Sequence, residues 1–204
     1  EQPVQLSFYD NGVGTSTNKY IKAVSGAFGF GFRQNVLDMY AYLAQKYVVG
    51  DHVFLFGFSR GAAEVRALNG MIAAAGLIKG AGLSIDKLDQ AVSDAFDRYR
   101  ADNSEKKDLK DTDDSFGVIP IAVLGVWDTV SALGFPKNWP GAPWPIYNLI
   151  KLSFRILGWF FDCFRRTAHG FYNYDLTSNI TRAYHALAVD DQRLSFSPKM
   201  WNET

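Results

Sequence analysis

The stretch Val53-Phe54-Leu55-Phe56-Gly57-Phe58-Ser59-Arg60-Gly61 decides how the rest of the chain is read. Its apolar opening reads as a buried strand, and the Ala-rich sequence that follows Gly61 has the spacing of a helix. Between them lies Gly-x-Ser-x-Gly. A serine hydroxyl is a poor nucleophile unless the backbone holds it on a tight strand-to-helix turn, where glycines on either side let strand and helix approach. In that context the pentapeptide reads as a nucleophile elbow, and Ser59 is the candidate nucleophile.

Outward from the elbow, strand-like runs at Val4–Tyr9 and Val118–Trp127 alternate with helical patterns. That alternation predicts an α/β protein with a mostly parallel sheet covered by helices on both faces. Val36, Leu37, Tyr40, Leu43, Ala44 and Tyr47 predict a helix over about 33–47, stopped by Gly50. After Ser59, the residues Ala62, Val65, Leu68, Met71, Ile72 and Ala75 predict a core helix ended by Gly76, with Asn69 on its other face. A third helix is expected over about 86–100, then a charged, solvated loop over 102–114. Asn179–Ala188 also reads as helix.

With 204 residues, 48% hydrophobic and 15% aromatic, the chain fits one well-filled core, so a single domain is expected over 1–204. Residues 135–165 are the least regular part of it. Pro136, Pro140, Pro143 and Pro145 lead into Ile146–Phe164, which is dense in Ile, Leu, Phe and Trp. Lys151, Arg155 and Asp162 interrupt that run, so it is not a conventional membrane span. Two readings remain open, a lid or interfacial insertion and an ordinary buried helical hairpin. Twenty-one basic residues against twenty-one acidic ones, with no long block of either sign, argue against a nucleic-acid partner. The single cysteine, Cys163, precludes an internal disulfide and leaves the redox compartment undecided.

A nucleophilic serine needs a base and an acid that orients it. Of the three histidines, His52 lies at the start of the elbow strand, a strand's length from Ser59. That leaves His169, in the Thr167-Ala168-His169-Gly170 loop, and His185. Asp128 follows the apolar strand Ile121–Trp127, which puts its carboxylate at the same sheet edge as Ser59. The order Ser59, Asp128, His185 is the one α/β hydrolases use. Each partner also has a plainer role: Asp128 as a turn cap, His185 as a buried structural histidine, His169 as a surface loop residue. For the oxyanion, one donor is expected from the backbone N–H of Arg60 and a second from the turn around Gly12, in Asp10-Asn11-Gly12-Val13-Gly14-Thr15. The Arg60 side chain suits a surface ion pair or an anionic head group. This chemistry calls for no metal and no cofactor.

Four segments resemble a known family: Tyr9–Thr15 (YDNGVGT), Phe56–Leu68 (FGFSRGAAEVRAL), Leu124–Gly134 (LGVWDTVSALG), and YHALAVDDQRLSFSP from Tyr184 to Pro198 followed by Trp201. The family is the α/β-hydrolase catalytic domain of the type VI secretion phospholipase effectors, once catalogued as a domain of unknown function. The resemblance spans most of the chain, with Asp191 where the family commonly has Glu. It implies ester hydrolysis on phospholipids by Ser59 and Asp128, transient contact with a membrane surface, and delivery as a secreted effector to a target-cell membrane or periplasm. A secretion apparatus and an immunity protein are the implied partners, and the lid reading of Ile146–Phe164 gains weight. The family's leading strand ending in Asp-Gly-Thr would fall before Glu1, and its trailing Gly-x-His-Ser-Asp-x-Gly-Gly segment after Thr204. The chain thus resembles the middle of such a domain, and the resemblance allows a base beyond Thr204. Two rivals stand beside this reading: an esterase or thioesterase with a soluble substrate, and a non-catalytic interaction module on a hydrolase fold.

Overall fold

Parallel pairing of short apolar strands organises the molecule. A computed structural model describes residues 4–10, 31–102, 104–105, 112–130, 172–190 and 200–201. In chain order the elements are α1 (Phe32–Lys46), β1 (Val53–Phe58), α2 (Arg60–Ala75), α3 (Ile85–Ala101), β2 (Ile121–Trp127) and β3 (Ala183–Ala186). The strands form one sheet in the order β1-β2-β3. Both pairings are parallel, with Phe58 opposite Trp127 and Trp127 opposite Ala186. Residues 58, 127 and 186 therefore mark one carboxyl rim.

Strand alternation sends Val53 and Leu55 of β1, with Leu124 and Val126 of β2, into the core, where α2 covers them. α1 and α3 pack on α2 and on each other. Sandwiched between sheet and helices, α2 is buried on every side from Ala62 to Ala75. Its alanines and glycines permit that close approach, and Gly76 at φ 75° ends it. Aromatic residues close the far side: Tyr172 meets Phe32 with ring centroids 4.9 Å apart and Phe96 at 6.3 Å.

Among the described residues the helices cover one sheet face, and the opposite face carries Phe54, Phe56, Phe58, Trp127 and Tyr184, with Phe58 68% exposed; the expected second helical layer is not among the described residues. Three expectations need correction. Val4–Asp10 forms no strand. It lies along α1 instead, where Ser7 O accepts a hydrogen bond from the Tyr42 hydroxyl at 3.4 Å and Phe8 packs on the Tyr42 ring at 4.9 Å. Apolar alternation prepares a segment for a ladder but does not supply the neighbour. Asn179–Ala188 is not helical, because Ala183–Ala186 is β3. A short Ala-rich strand imitates helical spacing, and its real period shows in half-buried Ala183 and His185 alternating with exposed Tyr184 and Ala186. Finally, Asn69 is wholly buried.

Burial suits Asn69 because it has polar partners. Its Nδ2 donates to Thr177 Oγ1 at 2.7 Å, and its Oδ1 accepts from Asn179 Nδ2 at 3.2 Å. Asn179 O in turn accepts from Ile121 N–H at 2.8 Å, which sets the entry of β3 beside β2. The segment 135–165 and residues 106–111 of the charged loop lie outside the described residues.

Among the described glycines Gly57 has the tightest surroundings, since a Cβ there would sit 2.4 Å from Gly61 O and 2.7 Å from Ala62 Cα. Both obstacles are backbone. Gly57→Ala is expected to destabilise the protein by about 1–3 kcal/mol in urea denaturation, and an unchanged midpoint would show that strand and helix are not pressed together at the elbow.

Candidate active site

Ser59 ends β1 and caps α2, and it adopts φ 55°, ψ −115°. For a residue with a Cβ such a conformation costs about 1–3 kcal/mol and persists only where its surroundings enforce it. Here the surroundings come from the end of β2. Ser59 N–H donates to Trp127 O at 2.8 Å, and Ser59 O accepts from Val130 N–H at 3.2 Å. These two partners flank Asp128, itself held at φ 45°. Asp128 N–H donates to Ala186 O at 2.9 Å, and its Oδ1 accepts from Ala188 N–H at 2.6 Å. Its carboxylate thus spans to the end of β3, and among the described residues Oδ2 has no protein partner. Nucleophile candidate and acid candidate share the carboxyl rim.

His185 is not joined to that pair. It stands in β3 opposite Val126, on the helix-covered side of the sheet. Its Nε2 lies 3.3 Å from Thr129 Oγ1, and it hydrogen-bonds to neither Ser59 nor Asp128. Its ring packs on Trp201 at 5.1 Å, and its Nδ1 is buried without a hydrogen-bond partner. Burial, then the Arg66 guanidinium, lower its pKa against a smaller opposing pull from Asp128, so it is neutral at pH 7. His52 is exposed just before β1, at the opposite end from Ser59. Arg60 is the first residue of α2, where helix N–H groups look outward toward the elbow. His169 and Gly12 lie outside the described residues. So does every group of the Pro-rich segment.

Three buried side chains near the elbow were not singled out in the sequence: Glu64, Arg66 and Thr129. Arg66 is 1% exposed, its Nε donates to Tyr174 O at 2.6 Å, and its guanidinium stacks 5.3 Å from the Trp201 ring centre. Thr129 is wholly buried. For Glu64 and Arg66 the available signal was charge within a mostly apolar helix, a pattern that requires polar partners inside the core; no local signal marked Thr129. Among the described residues no cluster of His, Cys, Asp and Glu is arranged to hold a metal ion, and no helix is long and apolar enough to cross a membrane.

Residues 1–204, the entire chain, match the family model described as T6SS, phospholipase effector Tle1-like, catalytic domain. The chain belongs to that family. No curated protein and no solved structure matches it. A Tle1-like catalytic domain is the catalytic part of a phospholipase effector, so its substrate class is lipid.

In this Tle1-like domain the one acid within α2 is Glu64, 3% exposed, whose Oε1 accepts from Asn35 Nδ2 at 3.1 Å. Burial first, and then Asp10, push its carboxyl up to about 7, while the Asn35 bond and Arg60 act the other way. A carboxyl raised in the folded state holds a proton that the unfolded chain has already lost, so its contribution to stability fades as pH rises from about 4.5 to about 7. Glu64→Gln removes that loss and still accepts from Asn35. Between pH 5 and pH 8 the variant is expected to gain about 1–3 kcal/mol relative to wild type in urea denaturation. Parallel pH profiles for the two proteins would contradict this.

Proposed function

We propose that this Tle1-like domain is a serine ester hydrolase that cleaves acyl esters of phospholipids. Ser59 Oγ attacks the ester carbonyl, a histidine takes its proton, and the alcohol portion leaves with that proton while the acyl group remains on Ser59. Water, deprotonated by the same histidine, then releases the fatty acid. Asp128 orients the histidine through Oδ2, and the N–H of Arg60 receives the oxyanion. The observation that carries this reading is the pair of backbone hydrogen bonds, Ser59 N–H to Trp127 O and Val130 N–H to Ser59 O, which hold the elbow against the turn that bears Asp128. Family membership supports a lipid substrate and an effector role. Action at a target-cell membrane, with a cognate immunity partner, belongs to the proposal on the same footing.

His185 satisfies the order Ser, Asp, His. To act as the base, its Nε2 has to exchange Thr129 for Ser59. The stack on Trp201 and the bond to Thr129 favour a second reading, in which another histidine is the base and His185 stands behind the acid turn. We adopt that second reading.

Hydrolysis of phospholipid vesicles by purified variants tests it. Ser59→Ala is expected to fall to background and Asp128→Asn to lose about three to four orders of magnitude in kcat, whereas His185→Gln keeps activity well above that of Ser59→Ala. A Ser59→Ala protein that still hydrolyses vesicles would overturn the serine mechanism. A His185→Gln protein as inactive as Ser59→Ala would make His185 the base. Wild-type activity on short soluble esters with no gain on vesicles would shift the substrate to the soluble class, and inactivity on both would leave an interaction module.

A further inference from the structure

Asp128 occupies a strained turn, and a turn of that kind keeps its shape only if it is held from more than one direction. From the rim it is held by two backbone hydrogen bonds, through Ala186 O and Ser59 O, and by Ala188 N–H donating to the Asp128 carboxylate. From beneath, the contact comes from the next residue. Thr129 is fully buried, and its hydroxyl meets His185 Nε2 at 3.3 Å. With Nε2–H as the donor, Nδ1 is left as a bare acceptor; the other tautomer would strand a buried N–H, which is the costlier arrangement.

The His185 ring is itself wedged. It packs on Trp201 at 5.1 Å, Arg66 stacks on Trp201 at 5.3 Å, and Arg66 Nε is fixed by Tyr174 O at 2.6 Å. Arg66 belongs to α2, the helix that Ser59 caps. The contacts therefore close a ring, from Ser59 along α2 to Arg66, across Trp201 and His185 to Thr129, and through the acid turn back to Ser59.

On the proposed serine mechanism, we infer that Thr129 is a positioning residue: its hydroxyl, held by His185, fixes the turn that aims the Asp128 carboxylate. Neither side chain touches substrate. Their effect falls on the chemical step, because a tilted Asp128 orients the base less well while leaving the lipid site unchanged.

Thr129→Val removes the hydroxyl at constant shape, and Thr129→Ser restores it. Against phospholipid vesicles and against p-nitrophenyl butyrate, Thr129→Val and His185→Phe are each expected to lower kcat about 10–100-fold, by analogy with the loss of an outer partner that orients a metal-ligating side chain. KM should move less than about twofold in both, since uniform binding is untouched. Thr129→Ser and His185→Gln, which keep a hydroxyl and an N–H donor respectively, should stay within about fivefold of wild type. The double variant Thr129→Val/His185→Phe should lose no more than the worse single variant, because both remove one contact. Wild-type kcat in Thr129→Val, losses that multiply in the double variant, or Thr129→Ser as slow as Thr129→Val would overturn the inference. Should Thr129→Val fail to fold by circular dichroism, the comparison of His185→Phe with His185→Gln decides, and equal rates count against it. An inactive Ser59→Ala beside a fully active Thr129→Val would remove only this inference, while an active Ser59→Ala would remove the mechanism on which it rests.

Discussion

Everything at the rim depends on the way both backbone polar groups of Ser59 are bound to the end of β2, the N–H to Trp127 O and the carbonyl to Val130 N–H. A serine at φ 55° would relax if either bond were missing, because an L-residue gains by leaving that region. Since the two partners flank Asp128, the bonds that hold the nucleophile candidate out of the strand also bend the turn that carries the acid candidate. One pair of hydrogen bonds thus couples two strained residues on neighbouring parallel strands, and parallel strands bring their carboxyl ends to the same edge.

The second requirement is a helix that can be surrounded. α2 lies between the sheet and the other two helices, and its small residues let all of them approach. The polar residues it carries inward are each engaged: Glu64 by Asn35, Arg66 by Tyr174 and the aromatic rings, Asn69 by Thr177 and Asn179. Unengaged, a buried amide or carboxyl of this kind would weaken the fold by about 1–3 kcal/mol. Engaged, they tie the helix behind Ser59 to segments more than a hundred positions away in the chain, such as Thr177.

How much of this was legible follows from the range of each signal. The elbow was readable because its constraint is local: Gly57 faces the backbone of Gly61 and Ala62, and only glycine fits. The three helices were readable because eleven or more residues with a regular apolar stripe leave little ambiguity, and they appear within about a residue of the expected bounds. Asp128 was readable because a polar residue directly after a buried strand falls at the carboxyl edge in a parallel sheet. β3 was not, since four residues rich in alanine carry too few periods to separate a strand from a helix. Thr129 and Arg66 were hidden for a different reason. Their partners, His185, Tyr174 and Trp201, come from distant segments, and no local pattern encodes which ring will face which side chain. The same distance obscured the true surroundings of His185, whose place in the Ser, Asp, His order says nothing about the face of the strand it occupies.

The most direct test of the claim that Ser59 and Asp128 serve one cleft is covalent labelling with a fluorophosphonate, the modified residue identified by tandem mass spectrometry and the labelling rate compared in wild type and Asp128→Asn. The account predicts a phosphonate on Ser59, formed about a thousandfold more slowly once the carboxylate that orients the base is neutralised. Labelling at a different residue, no labelling of Ser59, or an equal rate in Asp128→Asn would contradict it.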